Sequence, residues 1–178
     1  MSLEGAANKR PIALRPLVAS DLAAFRALRL EALQTAPTAF LASVAEERSL
    51  PDEAALQRLV GAPPAVVFGA FSGEALVGVA GFDPNRRDKQ SHRGALWGVY
   101  VDPQQRGQGI ARRLVAAVIE HARAHVAVLD AVVVASNAEA RALYVSLGFA
   151  EYGVVTRSLR IDGVYHDDIL IALDLDGG

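Results

Sequence analysis

The chain has 178 residues, 52% of them hydrophobic and 21% charged, with 18 basic against 20 acidic residues and a formal net charge of -2. This length and apolar content suit one globular domain with a continuous core, and the near balance of charge excludes a general attraction to nucleic acid or anionic membrane. The absence of cysteine excludes disulfides, thiolate zinc sites and an acyl-cysteine intermediate, and it points to a reducing cytoplasm.

The opening MSLEGAANKR lacks the apolar stretch of a signal peptide, and no later apolar run reaches the roughly 18 to 20 residues that span a bilayer. A soluble, unsecreted protein is expected. Residues 1–9 mix small and polar types and read as a flexible or expression-derived tail, ahead of one domain over residues 10–176. Ile12 to Leu17 alternates as a short edge strand, and Ser20 suits the N-cap of a helix carrying Leu22, Phe25, Leu28 and Ala32. Residues 36–49 read as loop or weak helix. Pro51 at a first helical position, Asp52 and Glu53 in the first turn, Leu56 and Leu59 on one side and Gly61 as the stop predict a second helix.

Ala65 to Phe71 and Glu74 to Phe82 are apolar runs joined by Ser72-Gly73, the mark of a tight hairpin. Residues 83–93 are polar and read as a loop. Gly94 to Val101 predicts a strand, Gly107 to His125 a long helix, and Val126 to Ala135 a strand buried on both faces. Strand, helix and strand in that order make a right-handed crossover with parallel strands. Ser136-Asn137-Ala138-Glu139 reads as a capping box, opening a helix with Ala140, Leu143, Tyr144 and Leu147 on its apolar side and Gly148 at its end. The chain finishes in a hairpin, Val154 to Ile161 and Val164 to Leu173 around Asp162-Gly163.

The chemistry concentrates in "VYVDPQQRGQGIARRL", residues 99–114. A strand that breaks at Asp102-Pro103 and passes through glycines into a helix bares backbone N–H groups at the positive end of the helix dipole, which is an anion site. Arg106, Arg112 and Arg113 oppose that dipole unless an anion sits among them. The stretch has no Gly-Lys-Ser/Thr ending, and Arg112 occupies the place of the third glycine of a dinucleotide fingerprint, so neither familiar phosphate loop is present.

Arg106-x-x-Gly109-x-Ala111, with "LWGVYV" before it and "NAEARALYVSLGF" at 137–149, resembles the GNAT superfamily of acyl-CoA-dependent N-acetyltransferases, and the order of elements agrees from about Ile12 to Leu173. The resemblance implies an α/β fold of the α+β type: a mixed, mostly antiparallel sheet of six to seven strands, with a bulged and splayed fourth strand and about four helices. It implies that Gly98 permits the bulge, and that Val99 and Val101 hold the acetyl and pantetheine arms through backbone groups. By the same resemblance Arg106, Gly107, Gln108, Gly109, Ile110, Ala111 and Arg112 hold the pyrophosphate, with Arg113 adding charge. Asn137 matches a position that binds the pantetheine arm or fixes the turn, and Tyr144 matches the general acid that protonates the departing thiolate. A phenol near pKa ~10 held beside a thiolate of ~8.5 suits that role; a core tyrosine on an apolar stripe is the alternative.

The general base is not named by the sequence. His92, His166, Asp168 and Glu31 are the candidates, beside a water; His166 and Asp168 share one strand face. Phe40, Trp97 and Tyr100 line an acceptor pocket or fill the core around the bulge. No metal is expected, because four scattered histidines give no ligand spacing. The expected activity is acetyl transfer from acetyl-CoA directly to a primary amine of a small molecule or amino acid. The alternatives are a peptide N-terminal acetyltransferase, a non-catalytic acyl-CoA sensor, and a nucleic-acid binder using Arg106, Arg112, Arg113 and residues 85–89, this last disfavoured by net charge. Similar proteins often pair through sheet edges or the last hairpin, which implies a homodimer.

Overall fold

A computed structural model describes residues 11–176, so the predicted tail at 1–9 lies outside the described residues. Seven strands form one sheet in the order β1-β2-β3-β4-β5-β7-β6. They are β1 (Ile12–Pro16), β2 (Val66–Ser72), β3 (Ala75–Pro84), β4 (Arg93–Val101), β5 (Val128–Val134), β6 (Ala150–Ile161) and β7 (Val164–Asp174). Every neighbouring pair is antiparallel except β4 and β5. Five α-helices accompany them: α1 (Leu22–Thr35), α2 (Val44–Ser49), α3 (Asp52–Val60), α4 (Ile110–Arg123) and α5 (Ala138–Ser146). The mixed, mostly antiparallel architecture expected from the sequence is the one observed, and none of the described helices is long and apolar enough to cross a membrane.

Two apolar layers hold the sheet. On one face α4 buries Ile110, Leu114, Val115, Val118, Ile119 and Ala122 against Ala80, Phe82, Leu96, Leu129 and Ile171. Their spacing along the helix is the 3.6-residue period that selects a helix here, and each such large side chain contributes roughly 1.5 to 3 kcal/mol by leaving water. On the other face Phe25, Leu28 and Ala32 of α1 and Leu59 of α3 close over Val67, Phe71, Val79 and Tyr100.

Local chemistry moves several predicted boundaries. Ser20 falls in a 3₁₀ turn, and α1 starts one residue after Asp21, whose carboxylate accepts from the Val18 amide at 2.8 Å and pairs with Arg15. Part of the stretch expected as loop or weak helix is α2, capped by Ser43, which accepts from the Glu46 amide while Glu46 accepts from the Ser43 amide. Pro51 sits at the N-cap of α3 and not inside its first turn. Helix α4 starts at Ile110 because Gly107 and Gly109 are left-handed, at φ 74° and 71°. Ser136 does not cap α5. Asn137 does, its side-chain oxygen accepting from the Ala140 amide at 3.0 Å. β5 is exposed at Val132, so it is buried on one face more fully than on both.

The sheet is irregular where its function is expected. Val79 pairs with Tyr100 and Gly81 with Trp97, so one residue of β3 stands opposite two of β4, and Gly98 takes φ 65° at that bulge. β4 pairs with β5 only from Arg93 to Ala95, whereas β5 continues its ladder with β7 as far as Val134. Beyond Ala95 the two parallel strands splay apart. At the fork Arg93 Nε donates to Asp130 at 2.8 Å.

Candidate active site

The splay opens a cavity of about 430 Å³. Its walls come from four places in the chain: Val99, Tyr100 and Val101 on β4, the loop and first turn from Arg106 to Arg112, one side of α5 from Asn137 to Tyr144, and Ala36, Ala39 and Phe40 after α1. Ten of the eleven residues expected at the site line it. Gln108 is the exception, because its side-chain amide turns away to donate to the Gln105 backbone carbonyl at 3.1 Å.

The loop is built to present backbone. Asp102 accepts from the Gln104 amide at 2.8 Å, closing the turn that ends β4, and Arg106 donates back to the Val101 carbonyl at 3.2 Å. A Cβ added at Gly107 or Gly109 would meet no protein atom within 4 Å. Those glycines therefore face open space, and the first N–H groups of α4 have no side-chain cap. Arg112 lines the cavity and donates to the Ser146 hydroxyl; Arg113 turns the other way, to the Ile12 carbonyl at 3.0 Å. One predicted cation thus stands at the cradle, and the other fastens α4 to the edge strand.

Tyr144 is buried on α5, with its ring edge-on to Phe149 at 5.5 Å between centroids. Burial alone pushes its phenol up to about 12. It therefore keeps its proton through the neutral range and has one to donate. Asn137, about two helix turns before it, lines the same cavity while capping the helix, so the two roles expected for Asn137 do not compete.

At the opposite wall, the Tyr100 hydroxyl donates to Glu31 Oε1 at 2.9 Å and shares a 2.8 Å hydrogen bond with Thr35. Burial raises the Tyr100 phenol above its ordinary value, and the Glu31 carboxylate adds to this while the Thr35 bond opposes it. Phe40 packs on Tyr100 at 6.4 Å between centroids. Of the four candidate bases, only Glu31 reaches the cavity, and it does so through Tyr100. His92 is exposed at the far end of β4, His166 lies in the terminal hairpin, and Asp168 is buried with the Ser158 hydroxyl donating to it. The lining residues that the sequence did not assign to the site are Ala36, Ala39, Ala140 and Leu143, which are small or aliphatic and carry no signal of their own, and Glu139, which reads as an ordinary first-turn carboxylate of α5.

Comparison with known proteins agrees with this geometry. The acetyltransferase (GNAT) family pattern matches residues 27–149. N-alpha-acetyltransferase RimI of Mycobacterium tuberculosis is 36% identical over 110 residues, covering 62% of this chain and 68% of that protein. The ribosomal-protein-alanine N-acetyltransferase of Brucella melitensis is 27% identical, with a TM-score of 0.73 over 91% of this chain and 99% of that one. A Salmonella typhimurium protein, yncA, solved with its cofactor acetyl-CoA, shares the fold at a TM-score of 0.79 and 24% identity, over 94% of this chain and 96% of its own. The splayed strand, the bared helix end and the family match converge on one assignment: this chain belongs to the GNAT family and is an N-acetyltransferase.

Proposed function

We propose that the chain moves an acetyl group from acetyl-CoA directly to a primary amine, with both substrates bound at once. The observation that carries this reading is the meeting, in one cavity, of a splayed strand edge, an uncapped helix N-terminus and a buried tyrosine. The fit to acetyl-CoA is physical. The open φ-positive glycines admit a pyrophosphate to the backbone N–H groups, and Arg112 completes its charge. The unpaired edge of β4 after Ala95 offers amides and carbonyls to the pantetheine arm, and the N–H groups near Val99 stabilise oxygen charge on the thioester carbonyl.

Two proton movements remain. A neutral amine must lose one proton after attack, and we assign it to Glu31: the Tyr100 oxygen takes it while the Tyr100 hydroxyl proton passes to Glu31. The departing thiolate needs a proton from Tyr144. With the phenol at about 12, full transfer to a thiolate whose acid lies near ~8.5 is uphill. Tyr144 therefore acts first as a hydrogen-bond donor to the leaving sulfur, and the transfer completes as the amine proton is lost.

The acceptor is an amine of a small molecule or amino acid. The similarity to a RimI enzyme favours a second reading, the α-amine of a peptide. An amine panel that includes alanine-initiated peptides, followed by thiol release from acetyl-CoA, separates the two. Intersecting initial-velocity lines are expected. Parallel lines, or the absence of thiol release with any amine, would overturn the direct-transfer reading.

A further inference from the structure

Behind the bulge lies a second cavity that the acetyl-transfer reading does not use. It measures about 130 Å³ and is lined by Arg29, Arg58, Asp83 and Trp97. Arg29 from α1 and Arg58 from α3 both donate to Oε2 of Glu47 on α2, at 3.1 and 2.8 Å. Burial pushes the Glu47 carboxyl up, and the two guanidinium groups more than reverse this, holding it below its ordinary value. Glu47 is 2% exposed and Arg29 8%, yet Arg29 Nε, Trp97 Nε1 and Glu47 Oε1 have no hydrogen-bond partner among the described residues.

Buried polar groups are normally satisfied, and an unpaired one costs about 1 to 3 kcal/mol. Two of the three orphans are N–H donors on residues that line one cavity, so the site asks for an acceptor. Arg29 and Arg58 face the carboxylates of Glu47 and Asp83, and Arg86, from outside the cavity, offsets the charge of Asp83. Asp83 stands at the rim and keeps much of its surface in water. A flat anion with two acceptor oxygens fits the fork of a guanidinium and the indole N–H, and it fits a volume this small.

We infer that this cavity binds a carboxylate. Arg29 and Trp97 donate to its oxygens, and Arg58 supplies charge at its mouth. Trp97 immediately precedes Gly98, and the Arg29 guanidinium lies 3.7 Å from where a Gly98 side chain would begin, so the occupant sits against the back of the bulge. Either a carboxylate on the acceptor substrate or a separate free carboxylate supplies this chemistry.

Trp97 is the sole tryptophan of the chain, which makes its emission a reporter of this cavity alone. The test titrates the whole protein with sodium formate and sodium acetate at constant ionic strength. A saturable emission change is expected. Arg58→Gln weakens it by at least about tenfold, because the positive charge at the mouth is lost and Glu47 loses one of its two guanidinium partners. Asp83→Asn tightens it, because a rim negative charge is removed; an opposite effect of this kind does not arise from impaired folding. Coenzyme A affinity is unchanged in both variants. A linear emission change, or equal titrations in all three proteins, would overturn the inference. A second arm assigns the source and rests on the acetyl-transfer reading: formate competitive against the amine marks the acceptor's own carboxylate, and formate non-competitive marks a free ligand. The emission titration stands whether or not acetyl transfer is detected.

Discussion

Gly109→Ala separates the cost of folding the cradle from the cost of using it. The residue holds φ 71°, a left-handed conformation that an L side chain adopts at a cost of about 1 to 2 kcal/mol. No protein atom lies within 4 Å of the added methyl, so no collision adds to this. For a chain of this size the melting temperature falls by about 2 to 8 °C, and the variant still folds. Ligand binding is hit harder. The methyl enters the space that the pyrophosphate needs in order to reach the backbone N–H groups, and each charge-assisted bond lost there costs about 1.5 to 3 kcal/mol. Coenzyme A should therefore bind about tenfold to hundredfold more weakly, whereas pantetheine, which lacks the pyrophosphate, binds both proteins alike. Calorimetric titration of both ligands into both proteins, with parallel melts, provides the readout. Coenzyme A affinity within twofold of the parent, or equal losses for both ligands, would refute a cradle built on Gly109.

Three further outcomes follow from the site and its frame. Tyr144→Phe keeps the ring against Phe149 and removes only the donor, so kcat drops by about 10² to 10⁴ with KM for acetyl-CoA little changed; steady-state kinetics check this. Glu31→Gln removes the basic charge at the end of the 2.9 Å hydrogen bond from Tyr100 and Tyr100→Phe removes the bond itself, so both interrupt one proton relay and the double variant is no slower than the worse single one, as a double-mutant cycle in kcat/KM will read. The Arg15 hydrogen bond lowers the Asp21 carboxyl to about 2 from its ordinary value of 3.8. A depressed folded-state pKa stabilises the protein above the unfolded value and loses that contribution as pH falls between those two values. Melts from pH 5 to 2 therefore show an acid decline that is shallower in Asp21→Asn.

Much of this arrangement is legible in the chain because local chemistry dictates it. Asp162 and Gly163 both take positive φ, which is what the Asp-Gly pair announces for a two-residue hairpin turn. The glycines at 98, 107 and 109 mark the bulge and the bared helix end, since each needs a backbone conformation that other residues avoid. What stays hidden depends on distance in sequence. Ala36 and Ala39 reach the cavity only because α1 packs beside β4, and nothing in their own neighbourhood reports it. The six residues of α2 carry a proper capping box at Ser43 and Glu46, yet so short a helix leaves no periodic stripe to read. Missing α2 also hides Glu47, and with it the ion pairs that join three helices behind the bulge.

The fork in the sheet has a mechanical meaning. Among the described residues, strand pairing between the panel of β1 to β4 and the panel of β5, β7 and β6 is limited to three residue pairs, Arg93 to Ala95 against Val128 to Asp130, with α4 packed across both panels. The Arg93–Asp130 pair is the rivet at the end of that seam. On the proposed reading, an extended ligand arm lodged between the panels would bond to both edges and act as a suture, and its binding would be transmitted to strands that never touch it. Amide hydrogen exchange will record this as slower opening along β5 and β7 on saturation with coenzyme A. The open seam is thus the place where the sheet has its fewest ladder bonds, and on the proposed reading the substrate would complete it.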